Sequence, residues 1–454
     1  MNQESEVIAR ARQKERELIE LYEATKIRSD ISQGIPTSDS EVKKRLRALH
    51  LPICLFGEDP FARRERLKLA SFQSSTVVVV PEVISAPPQK KQTESFYTLG
   101  SANLLSARKA IAADSLERAR TRLTSSASSH TEDPSSYWDS PNVISSSQIG
   151  DSRPLTGVAL CPFDALVAVS GWSGDVNVFD THSLTQRVSL RGHEDRCVSV
   201  AWEKTGRNAS NVSLASCGID KTVRLWSVSA QEGPVVGPSE TLEGHEMRVN
   251  RVAFHPHLSQ FVASSSDDET WRLWDIQRKE ELLLQEGHVA PVFGLCFHPD
   301  GSLVATSDTA AVIRVWDLRT GRSIMHFENM HADQILGLDI SPNGYSLASC
   351  SGDNSVKIFD LRQVRNVEIL TAHDKLVSCV KFSASASLLT AGYDCVARVW
   401  RTSDYKIVRN LPIHETRIMG ADLSADGKTV ATACYDRTFK LWTRRDQVKM
   451  ELDF

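Results

Sequence analysis

The sequence lacks the features that mark secreted, membrane-spanning or strongly charged proteins. No apolar run approaches the roughly 20 residues that a membrane-spanning helix needs, and the first residues lack the basic-then-apolar pattern of a signal peptide. The nine cysteines include no Cys-x-x-Cys pair, so we expect neither a disulfide framework nor a zinc site. The formal net charge of −4 is too small to indicate nucleic-acid binding by itself. We therefore expect a chain of the nucleus or cytosol with no metal, no cofactor and no membrane contact.

A unit of 41 to 48 residues recurs through the C-terminal two thirds of the chain. Each copy ends in an aromatic residue, and these residues are Phe179, Trp226, Trp274, Trp316, Phe359, Trp400 and Trp442. All copies but the first open with a histidine, and these are His193, His245, His288, His331, His373 and His414. Short apolar runs between turn residues are typical of antiparallel strands. This period, opening and ending are typical of WD40 repeats, and they predict an all-β seven-bladed WD40 propeller with an α-helical N-terminal extension.

A polar set recurs with the same period. An Asp lies six residues before the closing aromatic residue, and a Ser or Thr lies four residues before that Asp. With the opening His, the second, third, sixth and seventh units hold a complete set, which we expect to form a buried structural network. Its residues are His193, Ser216, Asp220, Trp226, His245, Ser264, Asp268, Trp274, His373, Thr390, Asp394, Trp400, His414, Thr432, Asp436 and Trp442. A Ser-His-Asp catalytic triad would occur once, beside an oxyanion hole, so we expect no catalytic residues.

Three units depart from this pattern. The first has Ser173 at the Asp position and no opening His. The fourth has Ala310 at that position, although Asp308 is near. The fifth ends in Phe359, which has no ring N–H to donate. We expect these three blades to be tied less tightly.

The N-terminal third divides into segments of different composition. The predicted segments are a charged helix at 1–36, two short helices at 37–70, a linker at 71–95, a helix at 96–123 and a Ser-rich mobile linker at 124–141, followed by the propeller at 142–443 and a tail at 444–454. Within 96–123, Leu104, Ala107 and Ile111 make an apolar stripe that Leu116 and Leu123 continue. Residues 142–151 are expected to supply the outer strand of the last blade, so that the two ends of the propeller segment close the ring.

The segment 37–70 has too few apolar residues to form a core of its own. A capping box at Ser38–Glu41 starts a helix, and Val42, Leu46 and Leu49 then share one face. We expect the apolar residues of the segment to bind a partner protein, namely Val42, Leu46, Leu49, Leu55, Phe56 and Leu67. The alternative is a helical hairpin that folds back on the propeller.

The stretch from Asp39 to Leu67, with Leu-Phe-Gly-Glu at its centre, resembles the splicing-factor motif of the pre-mRNA-processing factor Four family. Members are WD-repeat proteins of the U4/U6 small nuclear ribonucleoprotein, and the stretches Ser147–Asp151 and Asp436–Trp442 are also similar to that family. The resemblance implies a noncatalytic nuclear scaffold of the U4/U6 and U4/U6·U5 particles in pre-mRNA splicing, monomeric within a large assembly. It also implies three partners: the processing factor Three protein, cyclophilin H, and U4/U6 RNA contacted directly or through proteins.

Loops at one end of the predicted blades carry residue types that dominate binding energy at protein interfaces. The candidate residues for this propeller face are Arg153, Trp172, Arg196, Arg248, Tyr393, Arg417, Tyr435 and Arg437. The alternative is that each is an ordinary exposed loop residue. The repeats alone also fit a WD40 adaptor of another nuclear complex, such as a ubiquitin ligase or a chromatin reader, because a fold does not define a function.

Overall fold

The computed structural model describes residues 39–48, 62–64, 66–67, 102–126, 138, 143–162, 166–205, 211–229, 235–236, 240–363, 365–383, 387–411, 415–424 and 426–444. The chain divides into two compact units, Met1–Thr93 and Glu94–Phe454.

The first unit contains helix α1 (Asp39–Ala48) and a short helical stretch at 62–64 and 66–67. Val42, Leu46 and Leu67 pack into one cluster and are at most 2% exposed. These three residues are therefore already covered within the chain, whereas we expected them to contact a partner. The other apolar residues of the prediction, Leu49, Leu55 and Phe56, lie outside the described residues.

The second unit contains seven sheets among its described residues. The strands of the first sheet are β2 (Leu155–Leu160), β3 (Leu166–Gly171), β4 (Val176–Asp180), β5 (Gln186–Arg191) and β9 (Val235–Val236). Those of the second are β6 (Cys197–Trp202), β7 (Asn211–Gly218), β8 (Val223–Ser229) and β10 (Glu240–Leu242). Those of the third are β11 (Val249–Phe254), β12 (Phe261–Ser266), β13 (Trp271–Asp275) and β14 (Glu280–Gln285).

The remaining four sheets repeat the same four-stranded order. The strands of the fourth sheet are β15 (Val292–Phe297), β16 (Leu303–Asp308), β17 (Ile313–Asp317) and β18 (Arg322–Phe327). Those of the fifth are β19 (Ile335–Ile340), β20 (Ser346–Ser351), β21 (Val356–Asp360) and β22 (Arg365–Leu370). Those of the sixth are β23 (Val377–Phe382), β24 (Ser387–Gly392), β25 (Ala397–Arg401) and β26 (Ile407–Leu411). Those of the seventh are β27 (Ile418–Leu423), β28 (Val430–Cys434), β29 (Thr438–Arg444) and β1 (Val143–Ile149).

The inner strands of neighbouring sheets contact one another in a closed ring, from β2 through β6, β11, β15, β19, β23 and β27 back to β2. The predicted all-β seven-bladed WD40 propeller is therefore confirmed. The last blade contains both ends of the propeller segment, because β1 pairs antiparallel with β29 from Val143 opposite Arg444 to Ile149 opposite Thr438. This pairing confirms the expected source of its outer strand.

The core lies between neighbouring blades, where side chains of two sheets interdigitate. Between the second and third blades, Val223 and Leu225 of β8 pack with Val249, Val252 and Trp274 of the next sheet. Each of these five residues is at most 5% exposed. A single four-stranded sheet has two faces to cover, and the ring covers both by stacking each blade against two others.

Helix α2 (Ala102–Ser126) packs on the outside of the third and fourth blades. Its buried face is formed by Leu104, Ala107, Ile111 and Ser115, each at most 5% exposed. The prediction that Leu116 and Leu123 continue this stripe is wrong, because they are 63% and 54% exposed. A helix of 3.6 residues per turn places residues 104, 107, 111 and 115 on one side and turns the later leucines about 100° away. The helix also continues past residue 123 to Ser126.

Trp138 anchors the segment that was predicted as a mobile linker. Its side chain is 1% exposed and packs with the apolar residues of the sixth and seventh blades. Its ring Nε1–H donates to the carbonyl oxygen of Gly427 at 3.0 Å. At this residue, therefore, the segment is attached to the propeller.

Candidate binding face of the propeller

One end of the propeller carries the loops that lead into each inner strand and the loops between second and third strands. Because consecutive strands are antiparallel, both kinds of loop open at the same end of a blade. The opening histidines lie in the first kind of loop, and the recurring aspartates lie in the second kind. We call this end the upper face.

A four-residue hydrogen-bonded chain ties the two loops of the second blade together. Nδ1 of His193 lies 2.8 Å from Asp220, and its Nε2 lies 2.7 Å from the hydroxyl of Ser216. The ring N–H of Trp226 donates to the same hydroxyl oxygen at 2.8 Å. Because Trp only donates and a carboxylate only accepts, the donors run from Trp to Ser, from Ser to Nε2, and from Nδ1–H to Asp.

The same chain recurs in the third and sixth blades. It consists of His245, Asp268, Ser264 and Trp274 in the third, and of His373, Asp394, Thr390 and Trp400 in the sixth. In the seventh blade, Trp442 donates to Thr432 at 3.4 Å, and Asp436 accepts from the backbone N–H of Thr438 at 2.8 Å. His414 lies outside the described residues.

The prediction of a loosely tied fourth blade is wrong. Asp308 takes the place of the missing aspartate at 2.9 Å from Nδ1 of His288, while Thr306 links His288 to Trp316. In the fifth blade, His331 contacts Asp353 at 2.8 Å and Ser349 at 2.6 Å without a tryptophan. In the first blade, the hydroxyl of Ser173 donates to Asp151, a residue of the loop after β1.

The electrostatics of the network match a neutral imidazole beside a carboxylate. Burial lowers the pKa values of His288, His331 and His373, against the opposing effect of their aspartates. Burial alone would raise the pKa of Asp353, but hydrogen bonds from Ser355 and His331 outweigh it and lower the pKa to about 2. The five described histidines of the set are only 6% to 9% exposed, so these rings are almost completely covered by the protein.

Five of the predicted face residues form a continuous contact series that we call the arginine–aromatic band. Cζ of Arg196 lies 4.2 Å from the ring centre of Trp172. Trp172 meets Tyr435 edge to face, with ring centres 5.6 Å apart. Arg417 lies 4.1 Å from the ring of Tyr435 and 5.2 Å from that of Tyr393. The band crosses the second, first, seventh and sixth blades, including the blade that closes the ring.

Three other predicted face residues lie apart from these stacked contacts. Arg248 forms an ion pair with Asp267 at 2.6 Å. Arg153 and Arg437 are exposed in loops that border the band, where the N–H of Gly150 donates to the carbonyl of Arg437 at 2.9 Å.

Sequence reasoning missed two exposed apolar side chains on the same face. Val289 is 84% exposed and Met247 is 54% exposed, each within two residues of an opening histidine. Their position after the histidine was the available signal. The predicted face residues Arg196, Arg248 and Arg417 all lie three places after the opening histidine, so neither apolar residue fell in that set.

Among the described residues, no group of His, Cys, Asp or Glu side chains is arranged to hold a metal ion. All eight cysteines in this part of the chain are free thiols, and burial raises the pKa of Cys217 to about 12. Neither α1 nor α2 is long and apolar enough to cross a membrane.

Comparison with known proteins identifies both parts of the chain. A family model described as pre-mRNA processing factor 4 (PRP4) like matches residues 42–69. A model of the WD domain, G-beta repeat, matches residues 184–227, 237–275, 279–317, 321–360, 364–401 and 405–443. The first propeller unit, which departs most from the repeat pattern, lies before these six stretches.

Two relatives align with almost the whole chain. The U4/U6 small nuclear ribonucleoprotein PRP4 of Saccharomyces cerevisiae is 30% identical over 440 residues, which cover 91% of each chain. A PRP4-like U4/U6 small nuclear ribonucleoprotein of Arabidopsis thaliana is 35% identical over 434 residues, covering 91% of this chain and 76% of its own. Because these alignments include both the N-terminal motif and the propeller, the chain belongs to the PRP4 family of WD-repeat proteins.

Proposed function

We propose that this protein is a noncatalytic scaffold of the U4/U6 and U4/U6·U5 small nuclear ribonucleoproteins, acting in the nucleus in pre-mRNA splicing. The observation that carries this proposal is the alignment over 91% of the chain with a relative that is named for the U4/U6 particle. The N-terminal motif adds support, because residues 42–69 match the PRP4-like family model and lie outside the WD repeats. Repeats alone would fit many adaptors.

The buried polar network supports a noncatalytic role. Its His, Asp and Ser or Thr side chains recur from blade to blade, and each described ring is enclosed between two loops. A catalytic set needs one nucleophile and one base in contact with substrate. The recurring set instead stabilises the loops that display the upper face.

We place the main protein partner, the processing factor Three protein, on the arginine–aromatic band. Trp172 and the two tyrosines are half-buried, and each guanidinium of the band lies over an aromatic ring. Stacking of this kind orders the long arginine side chains before a partner arrives, so that less conformational entropy is lost on binding.

A second partner, cyclophilin H, is placed on the N-terminal motif. Val42, Leu46 and Leu67 are already covered. We therefore assign the contact with this partner to Leu49, Leu55 and Phe56, together with the exposed basic side chains of α1. Lys44, Arg45 and Arg47 form that basic surface. Contact with U4/U6 RNA, directly or through the protein partners, belongs to the same proposal.

The test is affinity precipitation of the tagged full chain from nuclear extract, followed by sequencing of the bound RNA. U4 and U6 RNA should be enriched together, with U5 RNA at lower salt. A variant with Arg196→Glu and Arg417→Glu should retain its fold and lose the partner that holds it in the particle. Recovery of the wild-type chain without any of these RNAs would overturn the proposal.

A further inference from the structure

Helix α2 carries a second apolar stripe that faces away from the propeller. Leu105, Leu116 and Leu123 are 57%, 63% and 54% exposed. With Lys109, Ala112 and Ala119 they follow the spacing 105, 109, 112, 116, 119 and 123. These alternating steps of four and three residues are those of a coiled-coil seam. Single exposed leucines are ordinary, whereas three along one seam form a surface that a partner helix can cover.

The propeller holds this helix in a fixed orientation through contacts near both of its ends. Near the N-terminus, the amide of Asn103 donates to Glu280 at 2.9 Å. Near the C-terminus, Arg122 makes a two-point ion pair with Asp300 at 2.9 and 2.8 Å. Its guanidinium also lies 5.1 Å from the ring of Tyr345.

Glycine makes room for this anchor at the end of the propeller opposite the upper face. Gly344 has a φ of +74°, and a Cβ there would lie 2.9 Å from Cζ of Arg122. Any side chain at this turn would therefore push against the guanidinium. The outer stripe is thus a preorganised surface on a rigid element.

The charges beside the stripe are basic. Lys109 lies within it, and Arg120 lies beside it, both exposed. The nearest acidic residues of the helix point elsewhere, because Asp114 pairs with Arg118 at 3.4 Å and Glu117 is about 100° around the helix from Leu116. An oncoming helix would meet apolar residues flanked by positive charge.

We propose that the outer stripe of α2 docks an amphipathic helix of a partner protein that has apolar seam residues flanked by Glu or Asp. A second copy of this chain is disfavoured, since pairing two α2 helices would bring Lys109 and Arg120 against their like-charged equivalents. RNA is disfavoured because three leucines in the seam offer nothing to phosphates, which bind Lys and Arg.

The first test measures binding of two synthetic helical peptides to the full-length chain by fluorescence anisotropy. Both peptides have Leu at the seam positions; one has Glu at the flanking positions, and the other has Lys. The Glu peptide should bind at least about tenfold more tightly than the Lys peptide, with weaker binding at high salt. Equal binding, or preference for the Lys peptide, would overturn the proposal.

Matched variants locate the binding surface. Leu116→Glu combined with Leu123→Glu should weaken binding of the Glu peptide by at least about tenfold, because it places like charge in the seam. Thr121→Glu combined with Thr124→Glu adds the same two charges at exposed positions of the same helix outside the stripe, and it should change binding less than about twofold. Both variants alter exposed residues, so an unchanged melting temperature is the check on folding. Equal loss with both variants would remove the stripe as the docking surface.

The second test places a photo-crosslinking amino acid at position 116 of the full chain in nuclear extract. The crosslinked peptide should come from a helix of another protein that carries apolar residues at heptad spacing between acidic ones. A crosslink mapped mainly to RNA, to a second copy of this chain or to a non-helical segment would refute the proposal. These outcomes are independent of the U4/U6 RNA precipitation, which tests the proposed function itself.

Discussion

Asp308 lies 2.9 Å from Nδ1 of His288 although it stands two residues before the position that carries the aspartate in other blades. Both residues are buried, at 2% and 6% exposure. The last residue of β16 therefore brings a carboxylate to the place that a loop residue occupies in the other blades. His288 has the partner that Ala310 could not supply.

Asp308→Ala should lower the free energy of unfolding by about 1–3 kcal/mol, because it leaves the N–H of a buried imidazole unpaired. Chemical denaturation monitored by tryptophan fluorescence measures the change. Ala310→Asp is the matched control two residues away, in the loop that follows β16, and it should change stability by less than about 0.5 kcal/mol, since position 310 is exposed. A neutral Asp308→Ala would show that the carboxylate does not support the blade.

The arginine–aromatic band predicts a small set of residues that dominate partner affinity. Trp172→Ala should weaken the binding of the proposed main protein partner by at least about tenfold. The change removes the ring that contacts both Arg196 and Tyr435. Surface plasmon resonance with the isolated partner measures the loss. Arg319→Ala, at the opposite end of the propeller, should leave the affinity unchanged. Similar losses from both changes would point to a general effect on folding.

His255 predicts an acid-dependent loss of stability. Its Nδ1 accepts from the N–H of Leu258 at 3.0 Å, and its Nε2 lies 2.9 Å from the carbonyl oxygen of Gly301, an arrangement that fits only the neutral ring. Burial lowers its pKa to about 4; His257 and Arg118 act in the same direction, while Gly301 and Asp114 oppose them. The unfolded chain takes up this proton below about pH 6.5, whereas the folded chain does not until about pH 4.

The free energy of unfolding should therefore fall as the pH drops from 6.5, and His255 accounts for about 2 kcal/mol of the loss at pH 5. Denaturation midpoints between pH 7.5 and 5 measure the slope. His255→Gln should reduce that slope, and His326→Gln, which alters an exposed histidine of β18, should not. An equal slope in wild type and His255→Gln would contradict the assignment.

Lys381 forms a charge balance with two aspartates of neighbouring inner strands. It stands on inner strand β23, and its pKa is raised by Asp339 and Asp422 of inner strands β19 and β27, against the effect of burial. The two carboxylates accept the backbone N–H groups of Phe382 and Leu160, at 2.7 and 2.8 Å, and so connect neighbouring blades. Burial raises the pKa of Asp422, and Lys381 opposes that rise.

Lys381→Met should lower the melting temperature by several degrees at pH 7.5 and by less at pH 5. The lysine is charged throughout this range. Without it, the partly buried Asp422 keeps a negative charge that burial disfavours, and acid relieves this cost by protonating the carboxylate. Differential scanning fluorimetry measures both values. Lys375→Met, at an exposed position, should have little effect at either pH. A larger destabilisation at pH 5 would refute the charge balance.

The blades were predictable because the same strand pattern recurs seven times and the complete polar set recurs in four of the seven units. The exact position of the histidine's carboxylate partner was less predictable. The repeat spacing points to position 310 in the fourth blade, which is an alanine, whereas Asp308 supplies the carboxylate. Helix α2 shows the limit of apolar patterning. Leu104 and Leu116 both look like core residues along the chain, and only the surface of the third and fourth blades decides which one is covered.

Contacts between distant parts of the chain left little trace in local sequence. No local sequence pattern around Trp138 predicts that its ring N–H donates to the carbonyl oxygen of Gly427, 289 residues away. The arginine–aromatic band was predictable as a set of residue types on one face. Its continuity depends on neighbouring loops of four blades, and no spacing rule describes that arrangement.

The pairing of β1 with β29 has a consequence for synthesis on the ribosome. Val143–Ile149 is the first of the described strands to be made, and it cannot pair with Thr438–Arg444 until that strand has emerged. During that interval its backbone N–H and C=O groups are open to other strands, including those of a second nascent chain. The pairing that closes the finished ring thus also defines the interval in which a growing chain can pair with the wrong strand.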